Sequence, residues 1–206
     1  MLGFESFDPH KEYILEDERV LLRPVKEEDW MYFKELPSHS PEIWQYSLVA
    51  IQNQDDLKKY FASAIEARNT GTAYAFIVFD KLTQSFVGCT RFYDIQIQYQ
   101  STQLGYTWYA KPTWGSGINL HCKYLLLQFA LEQLGFERVE FRADNDNKRS
   151  IAAMQKIGCT IEGVLRNHLP KPNGGRRDSI VLSILKKEWQ EKIKENLLNQ
   201  LKQGSL

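Results

Sequence analysis

The sequence predicts a mixed α/β fold, one twisted sheet flanked by helices, and three observations carry that prediction. Residues 102–109 alternate in side-chain character, with Leu104, Tyr106 and Trp108 set against Gly105, Thr107 and Tyr109, at the two-residue period of a strand. Past Gly115-Ser116-Gly117 the period changes, and Leu120, Tyr124, Leu127, Leu131 and Leu134 recur at steps of four, three, four and three, as on a helix. Upstream, two β-rich runs flank the short segment KLTQS and suggest a hairpin.

The elements run in order along the chain. Residues 19–25 form a strand that stops near Pro24, because proline has no N–H for a ladder. Residues 26–36 form a short helix ended by Pro37, and a loop carrying Trp44 and Tyr46 comes next. Asn53 is placed to cap a helix over residues 54–69, with Leu57, Phe61, Ala64 and Ile65 at helical spacing and Gly71 as its stop. Residues 74–80 and 86–94 pair as the hairpin, and residues 102–109 add a third antiparallel strand. After the glycine turn and its helix come a strand at 138–143, a helix at 148–157, and closing strands at 160–167 and 179–185 around PKPNGGRRD. Trp189, Ile193, Leu197 and Leu201 line one face of a C-terminal helix, which is expected to pack on its own domain.

Composition narrows the function. The chain has 206 residues, enough for one substantial core, and no repeat or low-complexity linker divides it. The expectation is one domain over residues 1–206, with an N-terminal extension at 1–12 and a C-terminal helix at 186–206. Lysine plus arginine and aspartate plus glutamate number 26 each, so no global basic field recruits nucleic acid or an anionic membrane. There is no apolar run of membrane-spanning length and no leader-like start, so a cytoplasmic protein is expected. The three cysteines, Cys89, Cys122 and Cys159, lack metal-ligand spacing and suit packed thiols in a reducing compartment; no metal is expected.

The segment around residues 115–117 carries the chemistry. Glycines let backbone approach an anion, Ser116 is placed to cap, and the unpaired N–H groups of a helix start add the positive end of its dipole. A phosphorylated ligand is the expectation. The Lys-Ser/Thr ending of a nucleotide P-loop is absent, because Gly117 is followed by Ile118 and Asn119.

Four segments in this order resemble the GCN5-related N-acetyltransferase family, and within it the RimJ/RimL-like branch that acetylates protein N-termini. They are RPVKEEDW (23–30), GYTWYAKPTWGSG (105–117), LLLQFALEQLGFERVEFRADNDNKRS (125–150) and AAMQKIGCTIEGVLR (152–166). The resemblance implies a mostly antiparallel sheet of six or seven strands, in which one parallel pair, at 105–109 and 138–143, splays apart to hold acetyl-CoA. The family's cofactor loop has Gln or Arg three residues before its first glycine. Here that position is Pro112, beside Lys111, which shifts pyrophosphate binding onto the backbone amides of residues 114–119.

The resemblance implies an N-acetyltransferase joining acetyl-CoA to a primary amine, a peptide N-terminus or a small molecule, as a monomer or homodimer. A non-catalytic acyl-CoA-binding module is the alternative. Trp108, Tyr109, Trp114, Gly115, Ser116, Gly117, Ile118, Asn119, Asn147 and Ser150 are expected to touch the cofactor, with Asn119 equally a local cap and Asn147 equally a helix cap. Ser150 is the expected acid. Where RimL-like relatives place a glutamate, this chain has VLRNHLP, so His168 is the nearest base, with Glu162, Asp94 or a water relay as alternatives. Trp44 and Tyr46, with Glu42 beside them, are expected to wall the acceptor pocket or to pack. Lys123, Lys148 and Arg149 either meet CoA phosphates or form a solvated helix face.

Overall fold

A computed structural model of the chain describes residues 7–172 and 174–204. The first six residues of the expected extension, Asn173 of the PKPNGGRRD turn and the last two residues of the expected C-terminal helix lie outside the described residues.

Among the described residues eight strands form one sheet: β1 (Leu15–Glu16), β2 (Val20–Pro24), β3 (Ala73–Asp80), β4 (Ser85–Gln96), β5 (Ser101–Tyr109), β6 (Arg138–Asp144), β7 (Thr160–Pro170) and β8 (Arg176–Leu185). Their spatial order is β1-β2-β3-β4-β5-β6-β8-β7. Seven match the expected strands. The eighth, β1, is a two-residue edge pair, too short for any periodicity to reveal. The pair β5–β6 is parallel, and the other neighbours are antiparallel.

Among the described residues six α-helical segments cover the faces: α1 (Leu36–His39), α2 (Gln54–Asn69), α3 (Ile118–Gln128), α4 (Lys148–Lys156), α5 (Lys186–Glu188) and α6 (Lys194–Gly204). Strand β3, AYAFIVFD, is a nearly continuous apolar run because both its faces are covered. Tyr74, Phe76 and Val78 join the larger core with α3, while Ala75 and Ile77 join a second core with Leu57, Phe61 and Ala64 of α2. The Asn53 cap forms as expected, its side chain accepting from the Asp56 amide at 2.9 Å. Three buried, unpaired cysteines complete the packing, and burial pushes each thiol above its ordinary range.

Two local expectations need correction. Residues 26–36 are not one helix: a 3₁₀ turn spans Glu27–Phe33, and Pro37 sits in the first turn of α1 instead of ending a helix, since the first turn needs no proline N–H. Within that turn, Asp29 accepts from both terminal guanidinium nitrogens of Arg23, at 2.6 and 2.8 Å, and from the Lys26 amide, which ties RPVKEEDW to the edge of the sheet. Helix α3 is also less one-sided than its leucine spacing suggests. Ile118, Cys122, Leu125 and Leu126 are buried together with Leu127, because the C-terminal helix covers the side turned away from the sheet. That helix runs as α5, a π turn over Trp189–Ile193, and α6, and it packs on its own sheet and helices as expected. Trp189 is its anchor: the ring lies 5.8 Å from Tyr124, and its Nε1 donates to Glu132 at 2.6 Å.

Candidate active site

The parallel pair parts where the resemblance implied. β5 and β6 are in register only over Ser101–Arg138, Thr102–Val139 and Gln103–Glu140, yet β5 runs on to Tyr109 and β6 to Asp144. From Leu104 onward, β5 therefore has no strand partner on its β6 side among the described residues. Such an edge leaves backbone donors and acceptors inside the fold with no ladder to satisfy them, which is the requirement for gripping an extended amide-bearing ligand.

A bulge re-aims the side chains along that edge. The register with β4 shifts between Cys89 and Arg91, and opposite it Tyr106 takes a left-handed φ of 50°. Strict alternation would put Leu104, Tyr106 and Trp108 on one face. The extra residue instead sends Leu104 into the core with α3 and Trp108 into the core with α2, leaving Tyr106 partly exposed. Trp108 donates its Nε1 to the Tyr60 hydroxyl at 3.2 Å and meets Trp44 edge-on at 5.1 Å. Trp44 is thus buried packing behind the cleft. Tyr46, by contrast, lines a cavity of about 290 Å³ with Asp144, Asp146, Lys171 and Arg177.

The glycine turn sits at the end of the free edge. A 3₁₀ turn over Lys111–Thr113 accepts Pro112 in its first residues, where an N–H is dispensable. Gly115 and Gly117 have φ of 81° and 86°, and a Cβ built on either would meet nothing within 4 Å, so the space before them is open. Ser116 does not cap α3 as expected: its hydroxyl donates to the Thr113 carbonyl at 2.6 Å, and Gly117 is the N-cap. The Trp114 and Ser116 amides are likewise spent inside the turn, on Lys111 and Thr113. Of the amides over residues 114–119, this leaves those of Gly115, Gly117, Ile118 and Asn119 for an anion. The Ile118 side chain itself is core. Lys111 pairs with Glu42 at 2.9 Å, which engages both residues at the rim.

Trp114 joins the two walls of the cleft. Its Nε1 donates to the Tyr109 carbonyl at 2.9 Å, and the Arg149 guanidinium lies over its ring at 3.7 Å. Arg149 belongs to the first turn of α4, so a cation from the β6 side faces the phosphate turn from the β5 side. In the same turn Asn147 is the helix cap, its side chain accepting from the Ser150 amide at 3.0 Å. The Ser150 hydroxyl has no hydrogen bond among the described residues, while Lys148 donates to the Asn145 carbonyl.

The expected bases separate clearly. Glu162 is held by Arg138 and by the Ser183 hydroxyl, and the guanidinium pulls its carboxyl down to about 2, so it acts as a structural anion. Asp94 accepts from Gln96 and Gln103. His168 contacts the Ser179 hydroxyl through Nδ1 at 3.0 Å, and desolvation, then Arg142, Arg177 and Arg176, hold its imidazole below the usual range. The ring is therefore neutral, and able to accept a proton, at pH 7.

Lys123 of α3 is not part of a solvated helix face. It is only 6% exposed, and its Nζ donates to Thr107 of β5 at 3.0 Å and lies 5.6 Å from the Phe141 ring of β6. It thus lies between the diverging strands with no carboxylate in ion-pair contact among the described residues, and desolvation lowers its ammonium to about 8. On the far side of α3, His121 contacts Asp17 at 2.7 Å, fixing the first helical turn to the β1–β2 connection.

With this geometry in place, comparison with known proteins is specific. The family model described as an acetyltransferase (GNAT) domain matches residues 19–160. A Bacillus subtilis (strain 168) protein named "Putative ribosomal N-acetyltransferase YdaF" is 29% identical over 163 residues, covering 78% of this chain and 79% of that one. A crystal structure of a "putative acetyltransferase" from T. thermophilus is 28% identical, with a TM-score of 0.81 over 98% of this chain and 100% of the other. The apo structure of RimL, described as a ribosomal L7/L12 alpha-N-protein acetyltransferase, shares the fold at 19% identity and a TM-score of 0.74, over 89% of this chain and 99% of its own. Among the described residues, no helix is long and apolar enough to cross a membrane.

Proposed function

The chain belongs to the GNAT acetyltransferase family, and on that premise we propose that it transfers acetyl from acetyl-CoA to a primary amine, a peptide N-terminus or a small amine, both held in one cleft. The observation that carries the reading is the parting of β5 from β6 beyond Gln103 and Glu140, with the open glycine N-terminus of α3 at the end of the freed edge. The reading treats residues 1–206 as one cytoplasmic acyltransferase domain. The name of the Bacillus subtilis relative favours a protein N-terminus among the acceptors.

Acetyl-CoA supplies the activated thioester, and the residues present fit it. The amides of Gly115, Gly117, Ile118 and Asn119, with Arg149 opposite, suit the pyrophosphate, and the unpaired edge of β5 through Trp108 and Tyr109 suits the pantetheine amides. Positioning alone supplies much of the rate, roughly 7 to 11 kcal/mol in well-aligned cases. The acceptor must lose a proton, since an α-amine has a pKa of about 8 and a lysine of about 10.4. Neutral His168 accepts it, directly or through water. The Ser150 hydroxyl gives a proton to the departing sulfur.

Acetyl-CoA at about 100 times its dissociation constant is expected to stabilise the fold by about 2.7 kcal/mol, raising Tm by roughly 5 to 10 °C. No shift with acetyl-CoA or CoA contradicts the reading. Binding without thiol release across a broad amine panel favours a non-catalytic acyl-CoA module instead. In the same assay, Ser150→Ala is expected to lower kcat by about 10²-fold while leaving CoA affinity within a few-fold. Unchanged turnover removes Ser150 as the acid.

A further inference from the structure

Among the described residues, Arg91 of β4 is buried without a counter-ion. It is 7% exposed, and its guanidinium lies between the rings of Tyr106, at 4.5 Å, and Tyr60, at 5.2 Å. Its Nε and Nη2 are buried and have no hydrogen-bond partner, and no carboxylate lies within 4 Å of it among the described residues. Arginines elsewhere on the sheet are treated differently: Arg23 has Asp29 and Arg19 has Asp80. Nε and Nη2 form one edge of the planar fork, the edge that takes both oxygens of a carboxylate side by side.

Arg177 of β8 stands on the other wall, where it lines the cavity with Tyr46 and Asp144. It too is 7% exposed; its Nε donates to Ser179 at 2.9 Å, and Asp144, across the same cavity, lies beyond ion-pair distance, as does every other carboxylate among the described residues. The acids nearby are already engaged. Asp144 pairs with Lys171, Glu140 with Arg138 and Arg142, and Asp178 accepts from the Asn167 amide. Arg142 is thereby paired with Glu140 and Lys171 with Asp144, which leaves Arg91 and Arg177 as the buried guanidiniums without a carboxylate in ion-pair distance among the described residues. Two unpaired buried guanidiniums favour a carboxylate over a cationic group beside them. Tyr106, packed on Arg91, stands on the bulge of the unpaired β5 edge.

We propose that the acceptor is an amine that carries a carboxylate close to its nitrogen, and that Arg91, with Arg177, receives that carboxylate. The proposal rests on the acetyltransferase reading and names its substrate class. Two sources share the chemistry: a free acidic amino acid, and a peptide whose first side chain is aspartate or glutamate.

The test compares Glu- and Asp-initiated peptides with their Gln- and Asn-initiated counterparts, free glutamate and aspartate, and spermidine, by thiol release from acetyl-CoA. Binding of the same compounds without acetyl-CoA is measured by calorimetry. Acids are expected to exceed the matching amides by about tenfold or more in kcat/KM and in affinity. Preference for the peptides or for the free amino acids identifies the source. Arg91→Gln, checked for an intact thermal transition, is expected to erase the acid-over-amide ratio mainly through KM, and Arg177→Gln to reduce it. Equal use of acids and amides, a preference for spermidine, or an equal loss for both acceptor types in Arg91→Gln overturns the proposal and leaves the acetyltransferase reading standing. Absence of any acetyl-CoA binding sinks that reading instead, while calorimetry still scores the carboxylate site.

Discussion

The Gly117→Glu variant is expected to fold and yet lose all stabilisation by acetyl-CoA. Position 117 is the N-cap of α3, at φ 86°. A side chain there costs about 1 to 2 kcal/mol of backbone strain, because Cβ crowds the next carbonyl in the left-handed region. That loss lowers Tm by only a few degrees in a chain of this size. The functional effect is larger. Nothing lies within 4 Å of the position a Cβ would take, so the glutamate side chain extends into the open space before the turn. Its carboxylate then occupies or repels from the amides of Ile118 and Asn119, the groups assigned to the pyrophosphate. A thermal melt of each protein with and without saturating acetyl-CoA separates strain from blockage. Gly117→Asn, which carries no charge and tolerates the left-handed region, is expected to retain part of the shift. A full ligand shift in Gly117→Glu removes the α3 N-terminus from the binding site.

Lys123→Met is expected to stabilise the protein at pH 7, and the sign follows from linkage. Burial lowers the folded ammonium from 10.5 to about 8, opposed weakly by the Cys122 and Cys159 thiols. Below about pH 8 both folded and unfolded chains carry the proton, and the fold bears the full penalty of a buried charge, about 3 kcal/mol. Between about pH 8 and 10.5 the unfolded chain still holds the proton that the folded one has lost, so stability rises with pH. Methionine, of similar length and without charge, removes the penalty at the expense of the bond to Thr107. The expected gain at pH 7 is about 1 to 3 kcal/mol, and the alkaline rise attributable to this group disappears. Denaturant unfolding at pH 7, 8 and 10 for both proteins checks this. A less stable variant with an unchanged pH profile shows that the ammonium is satisfied where it lies.

Much of the site was visible from spacing. The Asn53 cap, the hairpin at KLTQS, the Gly115–Gly117 turn, the Asn147–Ser150 helix start and the C-terminal Trp189 face all depend on residues within a turn or two of one another. Local stereochemistry dictates them, and they formed with small shifts of boundary. Where one spacing supported two outcomes, the neighbours chose. Ser116 had both carbonyl and amide groups in reach and bonded back to Thr113, and Pro37 was equally fit to end one helix or begin the next.

The order of elements, the period change at the glycines and the family to which that order points are written in neighbouring residues, and so could be read before any contact was known. The cleft is a different matter, because long-range packing makes it. The bulge at Tyr106 turns Trp108 away from the face its alternation implied, since one extra residue in a strand inverts everything after it. β5 and β6 part after three register pairs, and that depends on strands separated by a whole helix. Lys123 and Arg91 look like ordinary solvated cations in a charge-balanced chain. They become buried charges without carboxylate partners among the described residues only when distant aromatic and aliphatic side chains close over them, and burial is a property of those neighbours, which no local pattern encodes.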